Sequence, residues 1–327
     1  MPRRPLLLSA LALCVAIAGV SAPAPADTIT VYSGRSKSFM DALLDKFEKE
    51  SGHTVRRVYD KTAAVALKLQ TEADRSPADV VLAQDAGALG ALSRAGLLAP
   101  LPAADTAAVD ARFVSDRGDW VATSLRARTL AYSTERVDAA SLPQSAFDLT
   151  DPKYAGRVGF APANASFQAF VTALRVAHGE DAARQWLVDM KRNGVQTYPK
   201  NTAILEGIAA GEIDLGLPNH YYLLRFTEKD ANFPVAQTGF ADGDIGNLVN
   251  VAGAAVLKTS RHPEAAGQLV AFLLSQTGQS WFTDQIHEYP VTGDAATASP
   301  TGAPTLNLNA IDDLEGTLTL LREVGLL

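Results

Sequence analysis

Cysteine is almost absent from these 327 residues: the only one, Cys14, sits in an apolar stretch near the N-terminus. Downstream of it there is no thiol for a disulfide or a thiolate metal site, so a bound metal would need oxygen or histidine donors. Histidine is also scarce, at five residues. His53, His178, His220, His262 and His287 are scattered and form no H-x-x-x-H pair, which argues against zinc. The chain has no G-x-S-x-G elbow, no P-loop and no pair of carboxylates that stands out as an acid–base couple, so an enzyme is not the expectation. No apolar run after Val20 approaches the length of a membrane span. Excess basic charge is missing too. Twenty-nine basic against 36 acidic residues disfavour nucleic acid and anionic membranes as partners.

An export signal is present. Arg3 and Arg4 form a positive start, Leu6 to Val20 an apolar centre, and Ala24-Pro25-Ala26 an A-x-A cleavage pattern before Asp27. Leu13 before Cys14 is too large for a lipoprotein site. Removal of residues 1–26 would take away two arginines and leave 27 − 36 = −9. The expected location is therefore the periplasm, with no direct membrane insertion. The length exceeds one ordinary core, and two lobes are expected.

The remaining chain alternates strands and helices. Strands are predicted at Thr28–Tyr32, Val55–Tyr59 and Ala78–Ala83, the last continuously apolar, as a strand buried on both faces should be. Helices follow each, one with Ser36 as N-cap and a stripe of Phe39, Leu43 and Phe47, the others at 62–73 and 86–94. Such a βαβαβ sheet binds ligands at the carboxyl ends of its strands. The long β-rich run 121–132 reads as a crossing into a second α/β set, with a strand at 157–160, helices from Ser166, Glu180 and Asn201, and a strand at Ile213–Leu217. The run 249–257 is expected to return to the first set, and Ile311–Val324 reads as a closing amphipathic helix. The domain reading is 1–26 leader, 27–127 plus 252–300 first lobe, and 128–251 plus 301–327 second lobe.

Asn219-His220-Tyr221-Tyr222 follows the predicted strand 213–217. Taken alone, the two tyrosines suit ordinary amphipathic packing. They also suit a hard cation such as Fe³⁺, since adjacent phenols at a strand end can aim two anionic oxygens at one point. Strand alternation would turn His220 away from whichever tyrosine faces inward.

Several short stretches, in this order and spacing, resemble the periplasmic ferric-iron-binding proteins of ABC import systems. They are Val31-Tyr32-Ser33-Gly34-Arg35, Ser76-Pro77-Ala78-Asp79-Val80, Ala95-Gly96-Leu97-Leu98-Ala99-Pro100, 149–157, the tyrosine stretch itself, 253–257 and Glu288-Tyr289-Pro290. The resemblance implies a two-lobed type II periplasmic-binding-protein fold, with the ligand cleft between lobes. It implies that Tyr221 and Tyr222 bind Fe³⁺ together with a synergistic anion (phosphate, carbonate or citrate). It also implies a monomer that delivers iron to an inner-membrane ABC permease. This chain departs from the family pattern at three places: Ser36 stands where some members have a histidine ligand, Gln84 where they have a glutamate, and Phe167 where others have a third tyrosine. Gln84 could offer only a neutral oxygen.

Residues for the anion follow from helix starts, nearby positive charge and the resemblance. Asn164-Ala165-Ser166 opens a helix, whose free N–H groups suit phosphate or carbonate. Asn201 and Asn219 match positions that contact the anion in the family, and capping or turn formation is the structural alternative for Asn201. Arg35 and Arg126 are expected to face the cleft and to help ionise the phenols. Arg128 is the structural alternate. The competing reading is a receptor for a small oxyanion, phosphonate or other organic anion without metal.

Overall fold

Two five-stranded sheets organise residues 26–293 and 302–327, which the computed structural model describes. The expected leader lies outside the described residues, apart from Ala26, as do residues 294–301. In chain order the strands are β1 (Thr28–Ser33), β2 (Thr54–Tyr59), β3 (Val80–Ala83), β4 (Val121–Ala127), β5 (Leu130–Ser133), β6 (Val158–Phe160), β7 (Gln196–Thr197), β8 (Leu215–Gly216), β9 (Val235–Thr238) and β10 (Val249–Val256). The helices are α1 (Lys37–Ser51), α2 (Thr62–Glu72), α3 (Ala86–Arg94), α4 (Ala103–Thr106), α5 (Ala165–His178) and α6 (Glu180–Arg192). They continue with α7 (Asn201–Ala210), α8 (Tyr221–Thr227), α9 (Pro263–Leu274), α10 (Gln276–Ile286) and α11 (Leu314–Val324).

The first sheet runs β2-β1-β3-β10-β4. Its β2, β1 and β3 are parallel and linked by α1 and α2, as the predicted βαβαβ unit requires. Helix α1 buries Met40, Leu43, Leu44 and Phe47 against this sheet and ends at Gly52 in the left-handed conformation. Strand β10 joins antiparallel to both β3 and β4, so the run 249–257 does return to the first sheet. Its register shifts at Ala252/Gly253, where a Cβ on Gly253 would stand 2.7 Å from the Val121 carbonyl oxygen. Only glycine permits that approach.

The second sheet runs β7-β6-β8-β5-β9. The β-rich run 121–132 therefore divides between the sheets, with β4 in the first and β5 in the second, and Arg128 and Thr129 span the gap. One contiguous apolar cluster extends from Val31 and Leu82 through Leu89 and Phe170 to Phe160 and Leu321. Helix α11 buries Leu320 and Leu321 against α5 and α6 and also touches α3.

One expectation fails where it bears on the site. Residues 213–217 keep strand pairing only at Leu215–Gly216, and the tyrosine pair does not end a strand. Pro218 has no N–H to extend the ladder. His220 already has helical angles (φ −54°, ψ −43°), and Tyr221 opens α8. An apolar run as short as Tyr-Tyr-Leu-Leu reads equally as strand or helix, so periodicity could not decide.

Candidate functional site

The site is assembled where α8 meets the carboxyl-end loops of the first sheet. Tyr221, on the first turn of α8, is fully buried, and its Oη has no hydrogen-bond partner. The Tyr222 ring lies 4.3 Å away, centroid to centroid, tilted by 34°. A buried, unpartnered phenol is costly in a folded protein. Burial first, then the neighbouring Tyr222, raises the Tyr221 phenol above the ordinary tyrosine range, while Arg126 pulls it the other way. The free protein therefore holds Tyr221 neutral at physiological pH, and a ligand that needs the phenolate must displace its proton.

Positive charge surrounds this phenol. Arg126, on β4, is 1% exposed; its Nη2 donates to the Val251 carbonyl at 3.2 Å, while Nε and Nη1 have no partner. Burial works against its charge, but Tyr221, Glu288 and Asp85 together favour the protonated form. Beside it in the sheet, Asn250 accepts from the Ala86 and Val251 N–H groups, and its Nδ2 is also unpartnered. Arg35, on the loop after β1, donates through Nη1 to Glu288 Oε2 at 2.9 Å and leaves Nη2 free. The same carboxylate accepts from Ser124 Oγ. Burial opposes ionisation of Glu288, yet Arg35 and Arg126 hold its carboxyl below the usual range. Of the two guanidiniums expected to face the cleft, Arg126 is buried against Tyr221 and Arg35 is buried on Glu288, each with spare donors.

Arg128 takes the structural part. It donates to the backbone oxygens of Leu217 and Ser166 and lies over the Phe170 ring at 5.0 Å. The residues proposed for an anion gather on the second-sheet side. Asn164 caps α5 by accepting from the Ser166 N–H at 2.9 Å and the Ser166 hydroxyl at 2.7 Å. Asn201 is 1% exposed, donates to Ser166 Oγ at 3.4 Å, and has a partnerless Oδ1. Ala165 is the first residue of α5, and buried Asn219 bridges to Arg128 one residue before His220.

The positions that depart from the family pattern supply little. Ser36 is exposed, and its Oγ meets Ser38 Oγ rather than a backbone N–H. Phe167 is fully buried and stacks on Phe160 at 4.4 Å. Gln84 is half-buried at the end of β3, with its N–H on Thr62 Oγ1. The neighbouring Asp85 caps α3, and burial raises its pKa. Among the described residues no three His, Cys, Asp or Glu side chains are arranged to hold a metal.

Two features escaped the sequence reading. Arg225, one turn along α8, places its guanidinium 5.7 Å from the Tyr221 ring, 5.8 Å from Tyr222 and 4.2 Å from Phe39 of α1. Its i+4 and i+3 spacing from the tyrosines would have revealed it, had the pair been read as helical. His220 is the other. Its orientation comes from the helix start and not from strand alternation. Nδ1 accepts from the Ala127 N–H at 3.2 Å, and Nε2 donates to the His287 carbonyl at 2.8 Å. Burial lowers its pKa, so a neutral ring pins α8 to the crossing between the sheets.

The arrangement matches known proteins along most of its length. The family model for bacterial extracellular solute-binding proteins covers residues 75–310. The chain belongs to that family. The major ferric iron-binding protein of Neisseria meningitidis serogroup B is 35% identical over 325 residues, 96% of this chain and 98% of its own. The Fe(3+)-binding periplasmic protein of Serratia marcescens is 30% identical, covering 94% of each. Among solved structures, iron-bound HitA from Pseudomonas aeruginosa superposes with a TM-score of 0.86 at 34% identity, over 92% of this chain and 100% of that one. Trichodesmium IdiA (FutA) in complex with iron and citrate ligands gives 0.78 at 27%, over 91% and 99%. The two-sheet architecture of this solute-binding protein is the type II periplasmic-binding-protein fold.

Proposed function

We propose that this solute-binding protein is a periplasmic receptor that captures ferric iron between its two lobes and passes it to an inner-membrane ABC permease. The observation that carries the reading is the buried Tyr221 hydroxyl, which has no partner of good hydrogen-bond geometry and lies beside Tyr222 and close to the Arg126 guanidinium. Fe³⁺ would displace the phenol protons, and the arginines would favour the phenolates so formed. With Gln84 offering only a neutral oxygen and Asp85 beside it, an anion and water would complete the shell. Spare donors on Arg35 and Arg126, the start of α5 at Asn164-Ala165-Ser166, and Asn201 and Asn219 suit phosphate, carbonate or citrate. The relatives' names, which include ferric iron and the periplasm, support the same substrate and location. The protein would act as a monomer, and closure would follow from tighter binding to the closed state.

Ferric titration of the exported protein, followed by visible absorption in phosphate, carbonate or citrate, tests this. A saturable phenolate-to-iron band at one equivalent is expected. Tyr221→Phe or Tyr222→Phe should cut affinity by more than about 100-fold, since losing an outer-shell partner alone costs about 10–100-fold. Absence of the band in every anion, with tight binding of an anion alone, would favour the metal-free anion receptor.

A further inference from the structure

The chain enters its first strand on a histidine. The Asp27 backbone nitrogen donates to His53 Nδ1 at 3.0 Å, and the Asp27 carbonyl accepts from the Thr54 N–H at 2.8 Å. His53 is buried just beyond Gly52 at the end of α1. Its Nε2 meets Gln268 Oε1 of α9 at 3.1 Å. A backbone N–H can only donate, so Nδ1 carries the lone pair and Nε2 the proton. The Asp27 carboxylate lies 3.1 Å from His262 Nδ1, and both side chains are about one-third exposed, at 37% and 34%. The spot is therefore open to solvent. It lies before β1, at the opposite end of the first sheet from Arg35 and Asp85.

While the chain continues upstream, the Asp27 nitrogen is an amide with no lone pair for a metal. Cleavage after Ala26 turns it into an α-amine. We propose that removal of residues 1–26 creates a site for a divalent transition metal, best Cu²⁺, held by the Asp27 α-amine, the Asp27 carboxylate and His53 Nδ1. Two nitrogens each about 2.0–2.1 Å from one metal stand about 2.8–3.4 Å apart between right-angle and tetrahedral geometry, and the observed 3.0 Å falls within that span. Amine and carboxylate on one residue add a chelate ring. Gln268 orients the imidazole and His262 the carboxylate from outside, as partners of metal ligands do. Two nitrogens and one oxygen suit Cu²⁺, which leads the divalent affinity order. Binding releases the ammonium proton to solvent. The site uses two side chains, consistent with the lack of any three-side-chain cluster among the described residues.

The inference rests on cleavage after Ala26, which the test reads separately. The full chain, with Tyr221→Phe and Tyr222→Phe to silence the tyrosine pair, is exported through its own leader. Its intact mass gives the first residue, and it is titrated with Cu²⁺ alone. One equivalent bound with nitrogen hyperfine coupling in the electron paramagnetic resonance spectrum, and with proton release, is expected. Insertion of one alanine between Ala26 and Asp27 moves the amine by about 3.8 Å and should weaken binding at least about tenfold, with folding unchanged. His53→Gln should remove the imidazole coupling. Equal Cu²⁺ affinity in the insertion variant, or no binding by a protein that begins at Asp27, overturns the coordination. A mature protein that begins elsewhere overturns the proposal at the processing step instead.

Discussion

The charges around Tyr221 stand in a fixed order of dependence. Glu288 is buried and accepts from Arg35 and Ser124, so it neutralises part of the positive charge of Arg35 and Arg126. Without it, two guanidiniums would stand buried with a single carbonyl partner for Arg126 and a distant hydroxyl for Arg35. Glu288→Gln keeps the shape and removes the charge. Breaking a buried pair from one side costs about 3–5 kcal/mol, so urea denaturation at pH 7 should show a loss of that order. The folded carboxyl titrates below its unfolded value. Its contribution is therefore complete above the ordinary carboxylate range and is lost as pH falls through the lowered value. The gap between wild type and Glu288→Gln should accordingly narrow as pH falls below the ordinary carboxylate range. A gap that stays constant from pH 7 to pH 3 would mean that the Glu288 charge contributes nothing.

At the scale of elements, what was legible followed period and punctuation. The first three strands and their helices read correctly because β3 is a continuous apolar run, α1 carries a 3.6-residue stripe, and Gly52 ends it. The crossing at 121–132 read correctly because no single strand is that long. Tyr221 and Tyr222 were identified as residues but placed on the wrong element, and Arg225 was lost with that misplacement. Nothing local distinguishes a seven-residue helix after Pro218 from a strand end. Tertiary contacts were illegible as well, most clearly on α3. A Cβ on Gly87 would stand 2.7 Å from the Ile311 carbonyl oxygen, and one on Gly90 would stand 2.6 Å from Asp312 Cβ. These two glycines form the face on which residues 311–312 lie before α11, and Arg94 pairs with Asp312 at its edge. Helix propensity alone would make Gly90→Ala stabilising by up to about 1 kcal/mol. The close approach reverses that sign, and a net loss of about 1–3 kcal/mol is expected from overpacking. A raised urea midpoint in Gly90→Ala would show that the segment does not seat on α3.

For the whole molecule, the question is what joins the two sheets across the site. The connection is covalent or core-like at the β4–β5 crossing, at α11 against α3 and α5, and through the continuous apolar cluster. Arg225 of α8 touches Phe39 of α1, and it also lies over both tyrosine rings. It therefore links the tyrosine pair on α8 to α1 of the first sheet without contributing an oxygen donor. In the proposed ferric receptor, closure should depend on this contact even though Phe39 offers no donor to iron. A cation–π contact is worth about 0.5–2 kcal/mol, which corresponds to an affinity change of roughly 2–30-fold. Phe39→Ala should weaken ferric binding by a factor in that range through the closed state alone. The phenolate-to-iron band should keep its position, because the donor set is unchanged. Small-angle scattering should show the iron-loaded variant closing less completely than wild type at equal occupancy. A shifted band would instead place Phe39 in the ligand geometry. Unchanged affinity with full compaction would show that closure is held by the rest of the interface and that the Arg225–Phe39 contact is incidental to it.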